Sequence, residues 1–394
     1  MQVYLVGGAV RDYVLAREVT EHDYVVVGAT PEQMLELGFS QVGADFPVFL
    51  HPKTHDEYAL ARTERKSGNG YLGFNVHADA AVTLEEDLIR RDLTINAMAI
   101  EVNGLFDCGF KQGKFDVRDI IDPYGGLADI QQKKLRHVSA AFAEDPVRVL
   151  RLARFASRYA PLGFTVDEST AKLTSQMKAA GELSHLVAER VWSETSKALT
   201  QAWSDIYFDT LYQLNVLDVI MPKLHQASID NPKQWQLMLS SLRMAGEQQQ
   251  ADNVMKFALI ATCFKSHQQH NNRTTTYLEF CQGLKVPKNA ERLGLFIVEH
   301  FDELKNFDHL TAEQLFELLR LTNSLKDTSF LEQALKVVHL YQQVKQTALL
   351  ATIKTQLTQI SAKDVASELT GKQIGEAIDQ LRLQKLEEIL NQPL

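Results

Sequence analysis

Two patterns of apolar positions divide the chain. Up to about residue 138 apolar residues come in short runs, several of them β-branched, separated by polar turns. That pattern predicts strands over 3–6, 23–27, 47–50, 56–62 and 96–102. A helix is expected over 31–38, opened by Thr30-Pro31-Glu32. From residue 139 onward apolar residues recur at helical spacing almost to the end, with prolines at 161, 222, 232 and 287 between the segments. The fold class this predicts is α+β: a mixed-sheet N-terminal domain over 1–138, then an all-helical remainder. Residues Ser67–Asp79, with glycines at 68, 70 and 73, read as a mobile loop after the sheet. The polar stretch Phe106–Arg118 reads as an extended hairpin or surface loop.

Composition changes this picture little. A chain of 394 residues allows two to four compact units with a large core. The net charge of −9 does not advertise a nucleic-acid binder. Charge is uneven, however. Between Gln131 and Arg158 stand Lys133, Lys134, Arg136, Arg148, Arg151, Arg154 and Arg158 against only Glu144 and Asp145. That is a candidate RNA-facing strip, a solvated helix face being the alternative. No apolar run approaches the ~20 residues of a membrane span, and the N-terminus lacks the pattern of a signal peptide. Cys108, Cys263 and Cys281 are too few and too scattered for a disulfide framework or zinc site. A reducing cytoplasm is the expected location, and nothing in the chain speaks to oligomeric state.

The candidate chemistry sits at the start. Val3-Tyr4-Leu5-Val6 leads into Gly7-Gly8-Ala9-Val10-Arg11-Asp12, and Glu21-His22-Asp23 runs directly into Tyr24-Val25-Val26-Val27. Glycines after a strand let backbone N–H groups approach phosphate oxygens, and a helix start adds a favourable dipole. Residues two apart on a strand share a face, so Glu21 and Asp23 can present two hard carboxylates to divalent cations. Two such cations can clamp the attacking and leaving oxygens of a phosphoryl displacement, so the pattern is one that can hold a nucleoside triphosphate and its metals. Taken singly, a tight turn and a solvated strand end are the commoner readings of these pieces.

Further segments follow in order: Arg90-Arg91-Asp92-Leu93-Thr94-Ile95-Asn96-Ala97, Asp122-Pro123-Tyr124-Gly125-Gly126-Leu127-Ala128-Asp129, Glu144-Asp145-Pro146-Val147-Arg148-Val149-Leu150-Arg151-Leu152-Ala153-Arg154-Phe155 and Glu189-Arg190-Val191-Trp192-Ser193-Glu194. Over residues 1–200 the chain resembles the bacterial class II tRNA nucleotidyltransferases, the CCA-adding enzymes of the polymerase-beta-like superfamily. Phe46-Pro47-Val48-Phe49-Leu50-His51-Pro52 and Tyr58-Ala59-Leu60-Ala61-Arg62-Thr63-Glu64-Arg65-Lys66 point to the gammaproteobacterial branch. Poly(A) polymerases of the same family usually carry Gly-Arg-Arg-Phe where Gly43-Ala44-Asp45-Phe46 stands here.

The resemblance implies a palm-like catalytic domain over 1–138, a helical neck over 139–200 that selects the nucleobase, and a helical body and tail over 201–394 that bind tRNA. It implies addition and repair of the 3′-terminal CCA of tRNA from CTP and ATP, with Mg²⁺ held by Glu21 and Asp23 and no membrane partner. Gly7, Gly8 and Arg11 would hold the triphosphate. Arg91 and Asp92, with Arg90 beside them, would contact phosphate and ribose, where Asp92 offers an acceptor for a 2′-hydroxyl. A salt bridge to Arg11 or an adjacent arginine is the alternative for Asp92. Asn96 would shape the turn. Arg62 is expected among the catalytic residues with Glu21 and Asp23, and it belongs to the loop that the family uses to reshape the pocket between C and A. Arg151 and Arg154 complete the nucleotide-binding set. Glu57 is a candidate third carboxylate, a solvated strand residue being equally admissible.

Asp145 and Arg148 bear on base choice. At i and i+3 of one helix they would share a face, one accepting and one donating hydrogen bonds. Cytosine and adenine each pair an amine donor with a ring-nitrogen acceptor, whereas uracil and guanine present the reverse. One such pair can therefore accept C and A and reject U and G. The alternative is that Asp145 merely caps the helix that begins at Pro146.

Two departures stand out. The family has Asp-x-Asp where this chain has Glu21-His22-Asp23. The branch often carries a C-terminal phosphohydrolase domain marked by a His-Asp pair, but the corresponding stretch reads Phe257-Ala258-Leu259-Ile260-Ala261-Thr262-Cys263-Phe264. No hydrolase activity is expected there. Rival readings are a CC-adding, A-adding or poly(A)-adding relative, or a tRNA-binding protein whose catalysis has decayed.

Overall fold

The computed structural model describes residues 1–42, 48–66, 74–78, 80–102, 115–264, 270–342, 348–357, 359–365 and 369–391. These form two compact units, the first built from 1–198 with 206–220, the second from 199–205 with 221–394.

The first unit is organised by a seven-stranded mixed sheet. Its elements run β1 (Gln2–Val6), α1 (Gly8–Val14), β2 (Asp23–Val27), α2 (Pro31–Glu36), β3 (Ser40–Val42), β4 (Val48–Leu50) and β5 (Glu57–Leu60). There follow β6 (Arg62–Lys66), β7 (Phe74–Ala78), α3 (Leu84–Ile89), β8 (Ala99–Val102), β9 (Ile120–Ile121) and α4 (Gly126–Gln132). Sheet order is β3-β4-β5-β2-β1-β8-β9, antiparallel except for the parallel pair β2 and β5. Alternation along β1 sends Val3 and Leu5 to one core with Val10, Phe49 and Met98, and Tyr4 and Val6 to another with Val25 and Leu88. Both faces are covered, which is why the strands read as nearly unbroken apolar runs. α2 begins where expected, with a reciprocal capping box between Thr30 and Gln33.

Helices complete this unit: α5 (Val147–Tyr159), α6 (Glu168–Ala179), α7 (Ala188–Leu199, reaching one residue past 198), α8 (Asp205–Gln213, whose first residue belongs to the second unit) and α9 (Leu217–Ile220), with the short parallel strands β10 (Lys134–Leu135) and β11 (Thr165–Val166) packed beside α5. At the start of α4 the chain passes so close to the preceding loop that a Cβ on Gly126 would lie 2.5 Å from the Thr94 carbonyl oxygen.

Three expectations about elements are corrected. The run 56–62 breaks at Ala61, whose N–H bonds Val26 O, and Arg62 opens a separate ladder with β7. Residues 74–78, expected within a loop, are therefore a strand; 67–73 and 79 lie outside the described residues. The strand expected over 96–102 begins only at Ala99, because Thr94–Asn96 form a 3₁₀ turn closed by Asn96 N–H to Leu93 O. Of the stretch 106–118, residues 106–114 lie outside the described residues.

The second unit is helical: α10 (Pro222–Asp230), α11 (Pro232–Glu247), α12 (Asn253–Ala261), α13 (His270–Leu284), α14 (Lys288–Lys305), α15 (Ala312–Leu321), α16 (Ser329–Gln342), α17 (Leu349–Leu357) and α18 (Lys372–Leu390). Proline opens α10 and α11 at the first helical position. α12 is buried from Met255 to Ala261. No helix is long and apolar enough to cross a membrane, among the described residues.

Candidate active site

One cavity of about 610 Å³ in the first unit is lined by every residue singled out for chemistry. Gly7, Gly8 and Arg11 come from the β1–α1 turn, Glu21, Asp23 and Glu57 from the sheet, Arg62 from β6, and Arg90, Arg91, Asp92 and Asn96 from the turn before β8. Asp145, Arg148, Arg151, Arg154 and Arg158 come from α5 and the residue before its proline.

Gly7 adopts φ +68°, a left-handed conformation that suits glycine, and a Cβ there would lie 2.9 Å from Arg91 Nη1. The glycine turn thus admits an arginine against the backbone. Arg91 is held from below: Asp87, fully buried in α3, takes Arg90 Nη2 at 2.5 Å and Arg91 Nη2 at 3.1 Å. Burial pushes the Asp87 carboxyl up, but the two guanidiniums outweigh it and hold it below the usual carboxylate range. Arg91 Nε is buried with no partner among the described residues.

Asp23 begins β2 and stands in register with Glu57 on parallel β5, so the two carboxylates emerge side by side on one face. Glu21 precedes the strand rather than lying on it. Burial raises the Asp23 carboxyl pKa; nearby Arg91 opposes the rise and Glu21 adds to it. Among the described residues no side-chain hydrogen bond or ion pair engages Glu21, Asp23 or Glu57. All three are exposed hard-oxygen donors on the cavity wall, of the type a divalent cation takes; as they stand, no three acid, histidine or cysteine side chains among the described residues are grouped closely enough to hold a metal ion.

Asp92 is buried and both its carboxylate oxygens are engaged: it accepts from Arg151 Nε at 2.7 Å, Asn96 Nδ2 at 2.9 Å and Leu93 N–H at 2.9 Å. Burial pushes this acid up, yet the Arg151 charge and these donors bring it well below the ordinary range. The salt-bridge alternative is therefore realised, with Arg151 as partner and not Arg11. Arg11 is itself buried against Asp12 and Asn96 and lies over the rings of Phe155 and Tyr159.

Asp145 and Arg148 do not share a helical face. Asp145 is extended (φ −117°, ψ 106°) ahead of Pro146, and its Oδ1 accepts from Val147 N–H at 3.0 Å. Arg148 stands in the first turn of α5, its N–H bonding Asp145 O and its Nη1 donating to Ala141 O at 2.7 Å. The turn, not helical periodicity, brings the two together on the cavity wall. Asp145 is also paired through both oxygens with Arg190 of α7, at 3.2 and 3.3 Å. One helical turn on, Glu194 takes Arg154 Nε at 2.6 Å.

The basic strip of 131–158 is not one surface. The four arginines of α5 turn into the cavity, whereas Arg136 is held by Asp129 and Asp167. Sequence reasoning missed Asp87, Arg190 and Glu194 as organisers of the site. The spacing of Asp87 to Arg90 and Arg91, three and four residues, was a readable helix-face signal. Arg190 stood in the Glu189–Glu194 segment, but its pairing was not readable, since its partner lies 45 residues away.

A glycine turn on a mixed sheet, acids on the adjoining strands and arginines converging on the same cavity define a nucleotidyltransferase. The poly A polymerase head domain matches residues 3–136, and the probable RNA and SrmB-binding site of polymerase A matches 163–228. The multifunctional CCA protein of Acinetobacter baylyi is 40% identical over 420 aligned positions, covering 100% of this chain and 98% of that one. A solved tRNA-processing enzyme in its apo form superposes with a TM-score of 0.60 at 26% identity, over 98% of this chain and 93% of that one. The Thermotoga maritima CCA-adding enzyme complexed with tRNA-CCA shares the fold at TM-score 0.62 and 21% identity, over 99% and 90%. The chain belongs to the class II CCA-adding enzymes, which are tRNA nucleotidyltransferases.

Proposed function

We propose that this chain adds and repairs the 3′-terminal CCA of tRNA from CTP and ATP without a nucleic-acid template. The observation that carries it is the convergence of the glycine turn, the three acids and the α5 arginines on one cavity, in a chain 40% identical from end to end to a CCA protein. Solved relatives of the same fold are complexes with ATP, with CTP and with tRNA-CCA, and this chain's substrates are read as the same three.

Glu21 and Asp23, with Glu57 in reserve, hold divalent metal, Mg²⁺ being the cation expected. Such ions, when bound, neutralise the attacking and leaving oxygens of the displacement. The remaining work falls to side chains. Gly7 and Gly8 bring backbone N–H groups to the triphosphate, and Arg11 and Arg91 supply charge there. Asp92 acts from within: pairing with Arg151 and Asn96, it sets both beside the ribose. Arg148 donates to the base and Asp145 accepts from it, with Arg190 fixing the carboxylate and leaving part of its acceptor capacity to an amine. Helices 139–200 serve as the neck and 201–394 as the tRNA-binding body and tail.

The test is to incubate the protein with tRNA lacking its last three nucleotides, CTP, ATP and Mg²⁺, and to sequence the ends. Ends of CCA support the reading; CC, A or poly(A) ends assign a narrower relative, and tight tRNA binding with no incorporation indicates decayed catalysis.

A further inference from the structure

Arg158 lines the cavity, yet the reading above gives it no task. It stands at the end of α5, and its Nη2 lies 3.2 Å from Asp12 Oδ2. The same oxygen takes Arg11 Nη2 at 3.1 Å. Asp12 Oδ1 accepts from Arg11 Nε at 3.1 Å and from the Tyr159 hydroxyl at 3.3 Å. A single buried carboxylate therefore joins guanidiniums from α1 and α5. Two cations that close would repel; the shared anion between them removes that cost and fixes both forks.

The two arginines differ in access. The Arg11 side chain is 4% exposed and that of Arg158 is 32% exposed. Arg158 has one nitrogen on Asp12 and its guanidinium lies 5.6 Å over the Tyr159 ring, while no hydrogen bond from its other nitrogens is made to a described residue. Position along α5 supplies the rest. Arg148, at the base-reading end, precedes Arg158 by ten residues, about 15 Å of helix rise. That separation is on the scale of an extended nucleoside triphosphate, and it sets Arg158 beside Arg11 at the glycine-turn end.

The geometry points to Arg158 as a phosphate-binding residue for the β- and γ-phosphates of the incoming nucleotide, and so for departing pyrophosphate, with Asp12 as its positioning residue. This rests on the nucleotidyl-transfer reading above. It also separates labour within the arginine cluster: Arg11 gives charge from behind, and Arg158 makes the contact.

The experiment compares wild type, Arg158→Ala, Arg158→Lys and Asp12→Asn for CTP and ATP addition, inhibition by pyrophosphate, and pyrophosphate binding by calorimetry without tRNA. Arg158→Ala is expected to raise KM for CTP and ATP by one common factor, on the order of tenfold or more for a lost charge-assisted hydrogen bond. Pyrophosphate inhibition weakens by a like factor, while rejection of UTP and GTP is unchanged. Arg158→Lys, which keeps the charge without the fork, restores part of the affinity. Asp12→Asn weakens pyrophosphate binding without touching the base end. Melting curves show which variants fold, and the lysine variant decides should the alanine variant not. Wild-type pyrophosphate affinity in a folded Arg158 variant overturns the assignment, as does a loss confined to kcat. A wild-type protein that adds no C or A sinks the transfer reading instead, and the calorimetry still judges the phosphate site.

Discussion

Charge is treated in opposite ways around residues 199–205 of the second unit and around the cavity of the first. In the second, Lys256 is buried at the start of α12, and its ammonium donates to Leu199 O and Gln201 O, both at 2.8 Å. Asp205 takes Arg243 through both oxygens at 2.9 and 2.7 Å, and that guanidinium lies 3.7 Å over the Trp203 ring. Each of these charges ends on a protein group, and together they fasten residues 199–205 to their unit. In the first unit the charges around the cavity are only partly consumed. Glu21, Asp23 and Glu57 keep their carboxylates unpaired among the described residues, and Arg158 keeps donors unused. Buried charges closed on protein groups are structural; exposed carboxylates left unpaired beside a cluster of arginines on one cavity wall keep capacity for a ligand.

The sharpest way to break this contrast is to remove an unpaired acid. Asp23→Ala should lose CTP incorporation by on the order of a thousandfold, since a metal clamp is worth several kcal/mol, while folding and tRNA binding persist. Glu21→Ala should fall nearly as far, and Glu21→Asp should keep or increase the rate. Single-turnover incorporation at saturating Mg²⁺ decides: a wild-type rate in Glu21→Ala would shift the assignment to Asp23 and Glu57. Next in size is Arg148→Ala, which should lose roughly ten- to hundredfold in rate or in selection of C and A over U and G, tRNA affinity barely moving. Unchanged C and A addition in that variant would remove Arg148 from base reading.

A smaller effect follows from acids whose valences are satisfied. Asp92 and Asp87 are held below the ordinary carboxylate range by Arg151, Arg90 and Arg91, against the effect of burial. Because the folded pKa is depressed, the stability they give is full above the unfolded value, about 3.9, and is lost as pH falls below it. Urea midpoints measured from pH 7 to pH 3 should therefore drop, and Asp92→Asn, less stable at pH 7, should show a shallower drop. Equal slopes for both proteins would deny the linkage.

The smallest expected effect is zero. Cys263 is buried and its thiol is pushed far up by desolvation, and the helix before it carries no His-Asp pair. No hydrolysis of 2′,3′-cyclic nucleotides with Ni²⁺ or Mn²⁺ should appear; His267, nearby in sequence, lies outside the described residues. Metal-dependent turnover by clean protein would erase the contrast between the units.

What could be read from the chain followed from periodicity. β1 and β2 are legible because β-branched runs buried on both faces announce themselves, and Glu57 beside Asp23 followed from placing it on a neighbouring strand. The turn at Thr94–Asn96 was not legible, since Asp92 and Asn96 set it by hydrogen bonds that an apolar pattern does not display. Glycines at 68, 70 and 73 concealed β7 by making the whole stretch resemble loop. At the site, residue types were readable and their pairing was not: Asp145 with Arg190, and Arg154 with Glu194, are joined only by the packing of α5 and α7.

Gly126 lies outside the cavity wall, yet it sets the spacing of the segments behind it. With 2.5 Å between its absent Cβ and the Thr94 carbonyl, one methyl group would wedge α4 away from the loop that also carries Arg91, Asp92 and Asn96. Every reacting group would survive such a lesion; only their alignment would suffer. Overpacking a contact this tight costs stability and so lowers the melting temperature, which is why temperature-sensitive alleles of this gene should gather at contacts such as this one, at positions no substrate ever touches.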